Sequence, residues 1–113
     1  MVNWHELERL DQLDELIANS KTTAVMILKH STRCSISSMA KRRLEREWDL
    51  QDEEVQAWYL DLIAHRDVSN AIAERLGVEH QSPQIILIKD EKAILDQSHT
   101  AISASEIRSQ SVG

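Results

Sequence analysis

Residues 22–30 of this 113-residue chain read Thr-Thr-Ala-Val-Met-Ile-Leu-Lys-His, with every position from Ala24 to Leu28 apolar. A strand with one wet face alternates apolar and polar residues. A short run without alternation belongs instead to a strand covered on both faces. Ile85–Ile88 is a second such run, and it too falls far short of the roughly 20 apolar residues that cross a bilayer. A buried sheet with helices on both sides is the architecture that these two segments demand.

The rest of the chain supplies the covering layers. Leu7, Leu10, Leu13 and Ile17 recur every three or four positions and predict an amphipathic helix over 4–19. Thr22–His30 is a buried strand, and Ser31-Thr32-Arg33 is a turn. From Cys34 the pattern becomes helical, with Ile36, Met39, Ala40, Leu44 and Trp48 as the apolar stripe. Val55–Ile63 reads as the next strand. Asp67 is placed to cap a helix through Leu76, and Gly77 stands where a left-handed cap would end it. Ile85–Ile88 and Ala93–Leu95 form a hairpin across Lys89-Asp90-Glu91-Lys92, and Ser103–Gln110 is a closing helix. The order α-β-α-β-α-β-β-α predicts an α/β sandwich with a mixed central sheet of about four strands, parallel by crossover and antiparallel at the hairpin edge. The length and the lack of a linker point to a single domain over 1–113.

Composition removes several function classes. One cysteine cannot form an internal disulfide, which excludes a disulfide-stapled secreted scaffold. Met1-Val2-Asn3-Trp4-His5-Glu6 is not a basic segment followed by an apolar one, so no signal peptide is expected, and a cytoplasmic protein with a reduced thiol is. No membrane partner is expected. The net charge of -6 argues against a nucleic-acid partner, because phosphate contacts need a basic surface. His5, His30, His65, His80 and His99 fall in no metal-ligand spacing, so no metal is expected. No glycine-rich phosphate loop is present, and no cofactor is expected. Trp4, Trp48 and Trp58 lie at apolar-periodic or strand positions and read as packing residues. His30 either tunes Cys34 or ends its strand facing water.

Cys34 is where the remaining chemistry gathers. It follows a strand and a short turn, at the first turn of the next helix. Unpaired backbone N–H groups and the helix dipole both favour a thiolate at that place. Arg33 and His30 lie close in sequence. Lys41 and Arg42 stand about two helical turns away, near ~10 Å, where salt screens much of their effect. The segment 29–46 is nonetheless basic, with Lys29, Arg33, Lys41, Arg42, Arg43 and Arg46 against Glu45. Such a face is either simply solvated or attracts an anionic thiol substrate. Cys34 stands about 200° around the helix from Ile36, off the expected apolar stripe. The alternative is a buried structural thiol, the commonest fate of a free cysteine. Ser37 completes a C-x-x-S arrangement, in which a hydroxyl can hydrogen-bond the Cys34 sulfur but cannot resolve a mixed disulfide.

Three segments carry a more specific resemblance: Lys29-His30-Ser31-Thr32-Arg33-Cys34-Ser35-Ile36-Ser37, Val78-Glu79-His80-Gln81-Ser82-Pro83-Gln84 and Gln97-Ser98-His99-Thr100-Ala101-Ile102. In order and spacing the chain resembles the thioredoxin-like superfamily and, within it, the YtxJ family of monothiol bacilliredoxins. The resemblance implies a thioredoxin-like three-layer α/β/α sandwich with Cys34 as the catalytic thiol. It also implies a cis peptide at Ser82-Pro83 facing that thiol, with the residue 82 backbone able to pair with an extended substrate. Thr32, Arg33, Ser35, Ser37, Ser82 and Pro83 are the residues expected to bind substrate or tune the thiolate. The family pattern often has proline directly after the cysteine; Ser35 stands there in this chain and adds a backbone N–H beside the sulfur.

Three functions compete at this point. In the first, a monothiol thiol–disulfide oxidoreductase removes a low-molecular-weight thiol, bacillithiol in the family, from protein mixed disulfides. Its partners are those client proteins, the small thiol and a separate reductant. The second is a non-catalytic thioredoxin-like binding module. The third is an iron–sulfur carrier of the monothiol glutaredoxin kind, which the missing glycine-rich loop disfavours.

Overall fold

The computed structural model describes residues 2–112, and its order follows from the pleat of one strand. Strand β2 (Ala24–His30) is buried at every position. Val25 and Ile27 point to one face, where they meet Leu13, Leu16 and Ile17 of helix α1 (Leu10–Asn19) and Val68 and Ile72 of helix α3 (Arg66–Leu76). Met26 and Leu28 point to the other, against Ala40 and Leu44 of helix α2 (Ser35–Glu47) and Ile107 of helix α4 (Ala104–Ser111). Two apolar cores therefore sandwich one sheet, as the unbroken apolar run requires.

The sheet is mixed and five-stranded, in the order β1-β3-β2-β4-β5. Strand β3 (Val55–Asp61) lies parallel to β2, and β4 (Gln84–Lys89) lies antiparallel on its other side, followed by β5 (Lys92–Ser98). The fold is thus the expected α/β sandwich, with one strand more than expected. The extra strand is β1 (Trp4–Glu6), parallel to β3 at the sheet edge. It occupies the start of the segment expected to be one helix over 4–19. Leu7 shares the helical spacing, yet its N–H extends the ladder to the Tyr59 carbonyl at 2.8 Å. The helix begins only at Leu10, where the Gln12 side chain accepts from the Glu8 and Arg9 N–H groups at 2.7 and 3.0 Å.

The α2 stripe also differs from expectation. Ser37, Ala40 and Leu44 are its buried residues, whereas Ile36 and Met39 are 59% and 63% exposed. Helix α3 starts one residue before Asp67, with His65 as its N-cap, and Gly77 ends it at φ +66° as expected. The hairpin turn is tighter than expected: Asp90 and Glu91 alone bridge β4 and β5, at φ +53° and +65°. Positive φ at both centres matches a two-residue turn that follows the strand twist. The Ser20 carbonyl and hydroxyl, at the end of α1, accept from the Asp90 and Glu91 N–H groups and seat that turn. Ser103, expected at the start of the closing helix, is its N-cap and accepts from the Glu106 N–H at 3.3 Å.

Gly77→Ala places a Cβ in a left-handed conformation, although the space around it is open. The substitution is expected to lower unfolding free energy by about 1 kcal/mol, read as a lower denaturant midpoint with an unchanged slope.

Candidate active site

The C-terminal end of β2 and the N-terminal end of β4 meet at one edge of the sheet, with Lys29 paired to Gln84. The chain leaves β2 at His30, turns through Ser31-Thr32-Arg33, and reaches Cys34 as the N-cap of α2. The Cys34 N–H donates to the Ser31 carbonyl at 3.2 Å and closes the turn. On the β4 side of the same edge, Ser82-Pro83 is a cis peptide, with Pro83 buried and Ser82 half-buried. The Pro83 carbonyl accepts from the His99 N–H at 3.0 Å, which joins the end of β5 to the loop.

Cys34 is half-buried, neither sealed in the core nor fully exposed. Its backbone is extended, at φ -111° and ψ 118°, and its side chain makes no capping bond. From an N-cap, a charged sulfur can accept from the N–H groups of the first helical turn, which have no partner within the helix. Cys34 does not stand opposite a buried Ile36, because Ile36 is itself exposed. Thr32, Arg33 and Ser35 are exposed around the thiol.

Ser37 takes a different position from the one expected of it. It is fully buried, and its hydroxyl accepts from the Ser31 N–H at 3.1 Å and lies 2.6 Å from His30 Nδ1. With one lone pair of its hydroxyl given to Ser31, Ser37 still has a proton and a second lone pair with which to meet Nδ1. Ser37 thus ties the Cys34 turn to the end of β2 from below. His30 is 5% exposed and does not face water. Burial, then the Lys41 ammonium, hold its pKa below the usual histidine value, against the opposing pull of Asp61, Ser37 and Glu45. Ser37→Ala strands the half-buried Ser31 N–H and a buried ring nitrogen. It is expected to cost about 1–3 kcal/mol, measured by denaturant unfolding, while Ser38→Ala, on the half-buried neighbour, shifts the midpoint far less.

Beside His30 lies a group of side chains that no sequence motif announces. The Tyr59 ring is 5.5 Å from that of His30 and 6.2 Å from that of Trp4. The Lys41 ammonium sits over both Trp4 and Tyr59, 5.4 and 5.3 Å from their ring centroids. Glu45 fixes this arrangement, accepting from Lys41 at 2.9 Å and from the Trp4 indole N–H at 2.7 Å. Burial alone would raise the Glu45 pKa, but these two hydrogen bonds together with the charges of Lys41 and His30 outweigh it and hold the carboxyl below its usual value. Burial and the charges of Asp61 and Glu6 push the Tyr59 phenol up, so it stays neutral.

A second polar group holds the loop before β4. Lys29 is fully buried on the α3 face, and its ammonium donates to the Ser69 carbonyl at 3.2 Å and to His80 Nδ1 at 3.3 Å. Burial lowers Lys29 to about 8. Burial, Lys29 and Arg66 lower His80, so its neutral ring accepts. Gln84, also buried, accepts from the Gln81 N–H at 3.3 Å and donates to the Glu79 carbonyl at 3.0 Å. The loop that carries Ser82 and Pro83 is therefore held by side chains from β2 and β4. The sequence signal for this arrangement is a lysine at the end of an otherwise apolar run.

Below about 8 Lys29 is charged in the folded and unfolded chain alike, and the full cost of burying that charge is present. The cost falls away as pH rises from about 8 to the unfolded value of 10.5. The stability of the native chain relative to Lys29→Met is therefore expected to rise by about 3 kcal/mol across that interval. Chemical denaturation of both proteins at matched pH values measures it.

The thiol and the proline loop thus lie at the same end of paired strands β2 and β4. The family model described as monothiol bacilliredoxin BrxC matches residues 5–107. The chain belongs to the monothiol bacilliredoxin family. Among solved structures, a thioredoxin-fold protein provisionally described as an oxidoreductase superposes with a TM-score of 0.81 at 28% identity, covering 97% of this chain and 94% of that one. The thioredoxin of Malassezia sympodialis gives 0.74 at 16% identity, covering 99% and 93%. That of Fasciola hepatica gives 0.71 at 17% identity, covering 96% of each chain. The last two establish the thioredoxin fold alone. As a bacilliredoxin-type chain of this fold, the protein is a thioredoxin-like redox protein.

Proposed function

We propose that the chain is a monothiol thiol–disulfide oxidoreductase that takes a low-molecular-weight thiol from protein mixed disulfides through Cys34. The observation that carries this reading is a half-exposed cysteine at the N-cap of α2, on the sheet edge that also bears the Ser82-Pro83 peptide. In the first step the Cys34 thiolate attacks the sulfur of the small thiol. The sulfur–sulfur bond to the client breaks, a new one forms to Cys34, and the client leaves as a thiolate that takes a proton from water. In the second step the thiolate of another small-thiol molecule attacks the adduct on Cys34. The two small thiols leave joined as a disulfide, and Cys34 is again a thiolate. A separate reductant then reduces that disulfide.

Each nearby residue has a part in this scheme. The N–H groups at the start of α2, including that of Ser35, stabilise the attacking and leaving thiolate. Thr32 and Arg33 border the sulfur from the turn. The Ser82 backbone, held beside Pro83, pairs with the client chain. Ser37 acts from below by accepting from the Ser31 N–H while its hydroxyl rests against His30. The chain has one cysteine, so resolution comes from another molecule. The family's small thiol, bacillithiol, is the substrate that this membership favours, and cytoplasm is the compartment where a reduced lone thiol persists.

Intact-mass analysis after incubation with a client mixed disulfide tests the reading. The native chain is expected to gain the mass of one small thiol and to lose it on addition of a second thiol. Cys34→Ser is expected to gain nothing and to release no client thiol. A Cys34→Ser chain that keeps full function in the cell would establish a binding module instead.

A further inference from the structure

Residues 77–83 link the end of α3 to the start of β4, at the same end of the β2 and β4 pair as Cys34. Val78, buried against the core of α1 and α3, fixes the beginning of this segment, and Gln84 fixes its end. Between them, Ser82 makes no hydrogen bond through its N–H or its carbonyl among the described residues. A backbone that is to pair with a client must keep those groups free, so its neighbours have to set its position. Two buried side chains on one face of the sheet do so. Lys29 and Gln84 are directly opposite one another across β2 and β4, and both enter the layer of α1 and α3. Gln84 holds the Glu79 carbonyl and the Gln81 N–H, on either side of His80. Lys29 reaches His80 itself: its ammonium lies 3.3 Å from Nδ1 and is anchored 3.2 Å from the Ser69 carbonyl. Lys29 is fully buried, whereas His80 is exposed. An apolar side chain at position 29 would avoid the cost of burying a charge. What the ammonium adds is a bond from the middle layer of the molecule to the residue two places before Ser82.

We propose that Lys29, acting through His80, is a positioning residue for the client: it holds the residue 82 backbone where the client chain pairs with it, and so sets client affinity without touching Cys34 or the reacting sulfurs. The inference rests on the transfer chemistry proposed above and names the residue pair that places its client. A small disulfide without a peptide chain has nothing to pair with Ser82, so its reaction is independent of the bond between Lys29 and His80. That bond is sensitive to acid. Nδ1 accepts only while the ring is neutral. A proton there removes the bond and sets a second cation against Lys29 of β2 and Arg66 of α3, the charged groups that reach His80.

The test compares a client peptide disulfide-bonded to mercaptoethanol with oxidised mercaptoethanol, which has no peptide chain. His80→Leu is expected to raise KM for the peptide about tenfold with kcat unchanged, and to leave the rate with oxidised mercaptoethanol within about twofold of native. Lys29→Met is expected to match it, and the two substitutions together to do no more than either alone. His80→Asn, whose side-chain carbonyl can take the place of Nδ1, is expected to restore the native KM. The KM of the native chain is expected to rise as pH falls below the usual histidine value, while that of His80→Asn stays level. A second readout needs no turnover. In the Cys34→Ser chain, titration with the same peptide, S-methylated at its cysteine, is expected to shift the Ser82 amide resonance saturably, and His80→Leu is expected to weaken that binding about tenfold. Equal loss of rate toward both disulfides in His80→Leu, or an unchanged KM and Ser82 titration, would overturn the proposal while leaving the transfer chemistry intact. No transfer by the native chain together with a His80-dependent Ser82 titration would instead overturn the transfer reading and keep the positioning role.

Discussion

The site depends on the last two residues of β2 pointing to opposite faces of the sheet. Side chains alternate along a strand, so Lys29 enters the layer of α1 and α3, and His30 enters the layer of α2. Each is polar and buried, and each must find partners there. Lys29 finds them in α3 and in the loop that carries Ser82 and Pro83; His30 finds them in Ser37 beneath the Cys34 turn. The thiol and the proline loop come from distant parts of the chain, yet both are held by neighbouring positions of one strand. Their relative placement therefore follows from the pleat of β2, which is buried at every position.

That dependence also explains which features the sequence discloses. The layers are legible because apolar residues recur at periods that only helices and covered strands produce, and Gly77 is legible because a left-handed cap favours glycine. Strand β1 is hidden: it exists only through pairing with β3, a contact distant in sequence, and Leu7 happens to continue the spacing of the following helix. The α2 stripe misleads for a related reason. A serine, Ser37, occupies the buried position because it has two hydrogen bonds to make there, while Ile36 and Met39 are left in solvent beside the thiol. Periodicity weighs side chains by hydropathy and takes no account of a polar group that is satisfied by its neighbours.

The candidate site divides in the same way. Cys34 and Pro83 are legible from local context, since a strand, a turn and a helix fix the position of one and a strand start fixes the other. The group of Trp4, Tyr59, Lys41 and Glu45 is not, because its members come from β1, β3 and α2 and converge only once the parallel ladder is formed. The basic segment looks like an undivided patch along the sequence. In the folded chain its members differ: Lys41 is bound to Glu45, Arg43 donates to the Ile102 carbonyl at 2.9 Å, and Arg42 is exposed.

Ser35 occupies the first helical position after the thiol, where the backbone N–H has no intrahelical acceptor and where proline is also well tolerated. Exchange between the two residues at this point adds or deletes one donor next to sulfur while the helix, the turn and both cores keep their shape. On the chemistry proposed above, a single codon here sets how many donors meet the sulfur, so chemical temperament can change while the architecture stands still.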